Sequence, residues 1–345
     1  MDRGRPFAAL LILGSLAAAD APPPVPEAQW LAPATRLQLL TTRPEACIAE
    51  DTPDPVAEVY GRVAFNDPLL LGGQAARAGL SCASCHRGGR GNPGFRFPGL
   101  SGAAGTADVT TSLMSSHRGD GVFNPKPIPD LTFDTPKVSR TAAGTLEAFI
   151  RGLITEEFDG AVPPPAVLRG LAAYVRALDP KACTAGAGES FALANSLADY
   201  FVALGAAEAA LADRDRPTAL AMLRGARSTL GTIDRRYART GLDEARQSLS
   251  EADGALSAIQ QALRDGGGFD DAAAAVHARW RAVRAWAKPL YAAEGRSLYN
   301  PALMQVALGT KNLPEGEVAA RSADGGVAGH EAPSIPHLAQ RPLHR

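Results

Sequence analysis

Four things are scarce in this chain of 345 residues, and each scarcity removes a class of function. No stretch after the first twenty residues approaches the roughly 18 consecutive apolar residues that a membrane-spanning helix requires. Charge of one sign is scarce too: 35 basic and 36 acidic residues give a formal net charge of -1, so electrostatics offers no case for nucleic acid or an anionic membrane. There are four cysteines, Cys47, Cys82, Cys85 and Cys183, too few for a disulfide-stapled scaffold. There are also four methionines, and only Met114 falls between Cys47 and Cys183.

The chain opens with Asp2, Arg3 and Arg5, then the apolar run Phe7 to Leu16, then Ala17-Ala18-Ala19. A short basic region, an apolar core and a small-residue cleavage site spell a secretory signal peptide over 1–19. The expected mature protein is exported to a Gram-negative-type periplasm and has no membrane span after signal cleavage.

The chemistry concentrates at Cys82-Ala83-Ser84-Cys85-His86. A bare Cys-x-x-Cys in an oxidising compartment suggests a thiol oxidoreductase, but a histidine directly after it points to covalent attachment of one haem c. Two thioethers hold the porphyrin edge, and the adjacent imidazole then lies under the iron as its proximal ligand. No second Cys or His pair lies at zinc-ligand spacing.

Twelve residues past His86 comes Pro98-Gly99-Leu100-Ser101-Gly102, which resembles the Pro-x-Leu-x-Gly stretch of class I cytochromes c. That resemblance makes Pro98 the carbonyl acceptor of the histidine proton and Leu100 a haem wall. Phe65-Asn66-Asp67-Pro68, leading through Leu69–Leu71 to Gly72-Gly73, is similar to the lead-in of the bacterial di-haem cytochrome c peroxidase and MauG family. Leu146, Glu147, Gly152 and Ile154 match a second segment of that family, near Glu156-Glu157-Phe158-Asp159-Gly160. The resemblance implies Glu157 as a distal catalytic acid, with Glu156 next; a carboxyl there can shuttle a proton between peroxide oxygens. Phe149 stands where the family has glutamine, and this chain carries one haem motif where the family carries two.

Val167, Leu168, Leu171, Val175 and Leu178 recur at helical spacing, and Pro180 stops the run. "LAAYVRALD" resembles the closing helix of cytochrome c domains, which packs across the first helix. Class I cytochromes place a methionine about a dozen residues before that helix, and here the position reads Glu156 to Phe158. The sixth iron ligand is therefore open between Met114, His117 and neither, and Arg118 and Arg140 are candidate propionate partners. Residues 121–137 contain Pro125, Pro127, Pro129 and Pro136, which forbid helix. The interleaved Val122, Phe123, Ile128, Leu131 and Phe133 suggest an ordered loop wrapping a haem edge. Cys47 and Cys183 flank this region and are expected to pair, a bond worth about 5 kcal/mol in the chain-entropy account.

Beyond Cys183 the composition shifts to Ala, Leu, Arg and Glu. Leu242, Ala245, Leu249, Ala252, Leu256, Ile259 and Leu263 alternate steps of three and four. Leu223 to Tyr237 and Val276 to Leu290 give two more seams, and residues 190–212 a weaker one. Asp215-Arg216-Pro217, Gly241 and Gly266-Gly267-Gly268 separate the four. The expected fold is all-α: a cytochrome c-like haem domain over 45–184, a linker at 185–189, an antiparallel four-helix bundle over 190–310 and a disordered tail at 311–345. His277 lacks a ligand partner in that bundle, and Pro333, Pro336 and Pro342 prevent His330, His337 and His344 from forming a helical metal stripe. Two functions follow: a monohaem electron carrier serving redox protein partners, or a peroxidase-like enzyme fed by a partner haem protein. The bundle would serve docking or oligomerisation.

Overall fold

A computed structural model describes residues 25–44, 47–134, 138–142, 144–182 and 189–309. The expected signal peptide, Cys183, most of the expected linker and the tail with its three histidines lie outside the described residues. The protein is mostly helical, and among the described residues there is one two-stranded ladder, β1 (Thr106–Ala107) against β2 (Lys126–Pro127). Among the described residues no helix is long and apolar enough to cross a membrane.

The chain-local reasons for the first helices are plain. Helix α1 spans Pro33–Thr41. Helix α2, Pro55–Phe65, begins where Asp54 accepts the Ala57 N–H at 3.0 Å and Pro55 fixes the first helical φ. The short helices α3 (Gly73–Arg77) and α4 (Cys82–Cys85) carry the chain into the cysteine motif. Helix α5 covers Thr145–Gly152 and widens directly into a π turn over Leu153–Glu157. Helix α6, Pro165–Ala177, buries Val167, Leu171, Tyr174 and Val175.

Helices α2 and α6 cross at two glycines. A Cβ on Gly61 would stand 1.9 Å from the Gly170 carbonyl oxygen, and one on Gly170 would stand 2.7 Å from the Ala57 oxygen. The backbones therefore touch, and beside the crossing the rings of Phe65 and Tyr174 pack at 4.9 Å, tilted by 49°.

The C-terminal part contains α7 (Leu193–Ala212), α8 (Arg216–Arg236), α9 (Asp243–Arg264), α10 (Phe269–Trp286), α11 (Lys288–Ala293) and α12 (Pro301–Ala307). Asp215 caps α8 by accepting the Thr218 N–H at 3.1 Å, and Gly241 (φ +78°) turns the chain before α9. All seven residues of the Leu242–Leu263 seam are buried. Each helix from α8 to α10 packs on the one before it, and α10 also packs on α7. The third seam breaks at Ala287, so Leu290 belongs to α11.

The two parts share one core. A single cluster of buried apolar side chains runs from Trp30 through Phe65, Leu100 and Tyr174 to Leu204, Leu230 and Tyr299. Helix α2 packs on α7 and α8 as well as on α6, and a Cβ on Gly225 would meet Val63 Cγ1 at 2.3 Å. Asp67, 2% exposed, receives Arg224 Nε of α8 at 2.5 Å while its other oxygen accepts the Leu69 N–H. A smaller cluster joins Val25, Ala28 and Leu40 to Leu298, Leu303 and Met304.

Gly61→Ala forces a methyl into backbone and is expected to lose about 3 kcal/mol in chemical unfolding. Gly254→Ala, on an exposed face of α9 with nothing within 4 Å, is expected to gain up to about 1 kcal/mol.

Candidate functional site

Helix α4 is a single turn set by reciprocal serines: Ser81 and Ser84 form a capping box, with the Ser81 N–H donating to Ser84 Oγ at 3.0 Å. It places Cys82 and Cys85 together, half-buried against the core, with His86 as the residue that ends the helix. Both cysteines are free thiols. Burial pushes each thiol pKa up to about 12, so neither is ionised near neutrality. A reactive dithiol needs the opposite shift.

The His86 ring is held by a carbonyl other than the expected one. Nδ1 lies 3.1 Å from the oxygen of Pro129, not of Pro98. A carbonyl only accepts, so the proton belongs on Nδ1 and Nε2 keeps its lone pair as the available ligand nitrogen. Desolvation lowers the His86 pKa to about 4, against the opposing influences of the Pro129 bond and Asp130. The ring is therefore neutral at pH 7, as a metal ligand must be.

Pro129 is where it is because its neighbours are tied down on both sides. The Ile128 N–H donates to Gly105 O at 2.9 Å, and the Leu131 N–H to Gly89 O at 3.1 Å. Asp130 receives Arg90 Nε at 2.9 Å and the Thr132 N–H at 2.9 Å. Burial pushes the Asp130 carboxyl up, but hydrogen bonds from Thr132 and Arg90 outweigh it and hold the pKa below the usual range. The proline-rich segment is thus an ordered strap. Its Ile128 and Leu131 pack on the core, whereas Val122, Phe123 and Phe133 stay exposed.

The two sequence candidates for the other side of the site meet in space. Asp108 N–H donates to Leu100 O at 2.7 Å, and a Cβ on Gly99 would stand 3.1 Å from Leu113 Cδ2. That joins the stretch 98–100 to the Met114 loop. The loop is clasped in turn to the π turn: Ser115 Oγ donates to Glu156 O, and Asp159 accepts the Ser116 N–H at 3.0 Å. π turns of this kind cluster at functional positions. Met114 is 2% exposed in the same core that holds Leu100, while the His117 side chain is 63% exposed and faces Asp159 at 3.8 Å. Arg118 pairs with Glu156 and reaches Glu157 at 3.9 Å; the Glu157 side chain is only 14% exposed.

The structure also corrects the role expected of Arg140. Its guanidinium donates to Val175 O and Leu178 O at 2.7 Å each and also to Thr132 O, capping the end of α6 and tying the strap to it. Arg118 is spent on the two glutamates. His277 is a surface histidine 3.4 Å from Glu208. Among the described residues no group of three or more His, Cys, Asp or Glu could hold a bare metal ion.

No family model, curated protein or solved structure matches the chain. The functional reading accordingly rests on the site's own chemistry.

Asp130 supplies stability that is full above the unfolded carboxyl pKa of about 4 and is lost as pH falls through its lower folded value. Asp130→Asn is expected to cost about 1–2 kcal/mol at pH 7 in urea unfolding, with the difference from wild type shrinking as the pH drops below about 4.

Proposed function

We propose that this chain is an exported c-type cytochrome with one covalently attached haem, passing single electrons between periplasmic redox partners. One observation carries the reading: His86 directly follows two free, un-ionised thiols on one helical turn and has Nδ1 engaged by Pro129, which leaves Nε2 for iron. The residues fit the group. Cys82 and Cys85 would form the thioethers, His86 the proximal bond and Leu100 a wall. When bound, the haem supplies a one-electron Fe(III)/Fe(II) couple. Exposed large apolar side chains concentrate in this part of the chain, at Leu69, Leu113, Val122, Phe123, Phe133, Phe149 and Val162, against Tyr291 and Val306 elsewhere. Such apolar surface suits a prosthetic group or partner. In this reading residues 45–184 form a cytochrome c-like unit and the helices beyond 190 an antiparallel four-helix bundle.

Met114 is the sixth ligand we favour, since it is buried in the loop whose Leu113 meets Gly99, whereas His117 points to solvent and Asp159. The peroxidase-like reading keeps one observation of its own: the nearly buried Glu157 carboxyl stands beside the Met114 loop with Arg118 at 3.9 Å. The disulfide belongs to the proposal as well. Ile48 bridges Leu178 and the Asp179 N–H donates to Cys47 O at 2.9 Å, so the chain brings Cys47 beside a segment that ends four residues before Cys183.

Co-expressed with a haem-attachment system, the protein is expected to carry one covalent haem and a low-spin ferric spectrum. Cys82→Ala with Cys85→Ala removes the covalent link; Met114→Ala turns the spectrum high-spin, and His117→Ala leaves it unchanged. A high-spin wild-type spectrum that changes on adding peroxide overturns the carrier in favour of the peroxidase. Thiol titration of the denatured holoprotein is expected to find no reactive cysteine, and two would refute the Cys47–Cys183 bridge.

A further inference from the structure

Two arginines behind the cysteine motif lack a carboxylate partner within salt-bridge distance among the described residues. Arg87 follows His86 directly, and its Nη2 donates to Thr42 O at 2.6 Å. Thr42 bridges Ser190, and the Phe191 N–H donates to Thr41 O at 2.8 Å, so the strand-like contact leads to Phe191. Over that ring lies Arg236, the last residue of α8, 5.1 Å from the Phe191 centroid and 5.6 Å from that of Tyr299. Arg236 is 7% exposed and donates to Leu298 O at 3.2 Å. Glu27 is the nearby acid, but it pairs with Arg235 at 2.9 Å. A guanidinium is not deprotonated in proteins, so both side chains carry their charge at pH 7.

A buried charge is poorly screened, and its field reaches farther than that of a surface charge. The aromatic faces of Phe191 and Tyr299 stabilise the Arg236 cation without neutralising it. We propose that Arg87 and Arg236 form a fixed positive pair that raises the reduction potential of the centre held by His86, making α8 part of the redox site. The inference rests on the haem reading above. Reduction adds one electron, taken from a donor protein or mediator, and no proton or bond changes. Two fixed positive charges favour that added negative charge. The helices beyond residue 190 therefore set the driving force for electron transfer in addition to whatever they dock.

The test is a potentiometric titration of the holoprotein with one-electron mediators. Arg236→Met keeps an unbranched stem among the rings and removes the charge; Arg236→Lys keeps a charge. The Met variant is expected to shift the equilibrium with the mediator at least tenfold toward the oxidised protein, 59 mV for one electron. The Lys variant should stay near wild type, and the Met shift should persist at 1 M salt, where the screening length is about 3 Å. An unchanged potential in Arg236→Met with wild-type haem content, or a shift that vanishes at 1 M salt, overturns the proposal. Should Arg236→Met not accumulate, Arg87→Gln carries the test, with the same direction expected and an unchanged potential again overturning it. Wild-type protein without covalent haem refutes the cytochrome reading, an outcome distinct from a haem protein whose potential ignores Arg236.

Discussion

The contact of Gly61 with the Gly170 carbonyl is the constraint on which the remaining structure hangs. Two helices whose backbones touch have one relative position, since neither can slide or roll without a clash. That position fixes Tyr174 against Phe65 and aims the end of α6 at Arg140. Through Arg140 it also fixes the strap of residues 126–132 that presents the Pro129 carbonyl to His86. A tautomer on one imidazole thus depends on a helix crossing in a different part of the chain.

The strap shows how rigidity can come from residues that forbid regular structure. Pro125, Pro127 and Pro129 remove N–H donors and lock φ, leaving few ways to arrange the segment. Asp130 then converts the remaining freedom into a single turn, accepting from Thr132 on one side and from Arg90 on the other. Arg90 itself lies four residues past His86, so the cysteine motif and the loop that orients its histidine are bound to each other directly.

Much of this was legible in the sequence, and the illegible part has a common cause. The helical seams were readable because periodic apolar side chains announce a buried face; every member of the Leu242–Leu263 series is buried. Helix α6 was readable from Val167, Leu171 and Val175 for the same reason. Cys82, Cys85 and His86 stood out as a motif, and the structure sets them on one helical turn and at its end. Pro129 was missed because its part is played by a backbone carbonyl, which every residue possesses and no residue type advertises. The capping role of Arg140 was not legible, because a guanidinium that caps a helix and one that binds a carboxylate look alike in sequence. The pairing of Arg87 with Arg236 spans nearly 150 positions of chain and follows no local rule.

The core shared by α2, α6, α7 and α8 has an implication for how this chain could be divided. Val63 of α2 fills the space left by Gly225, and Asp67 reaches Arg224, so the outer face of α2 is built for contact with protein. A fragment cut near residue 184 would turn that face, with a buried carboxylate on it, toward water. The cysteine motif is therefore not a portable cassette with an appendage. A relative lacking the later helices would need a different surface on α2.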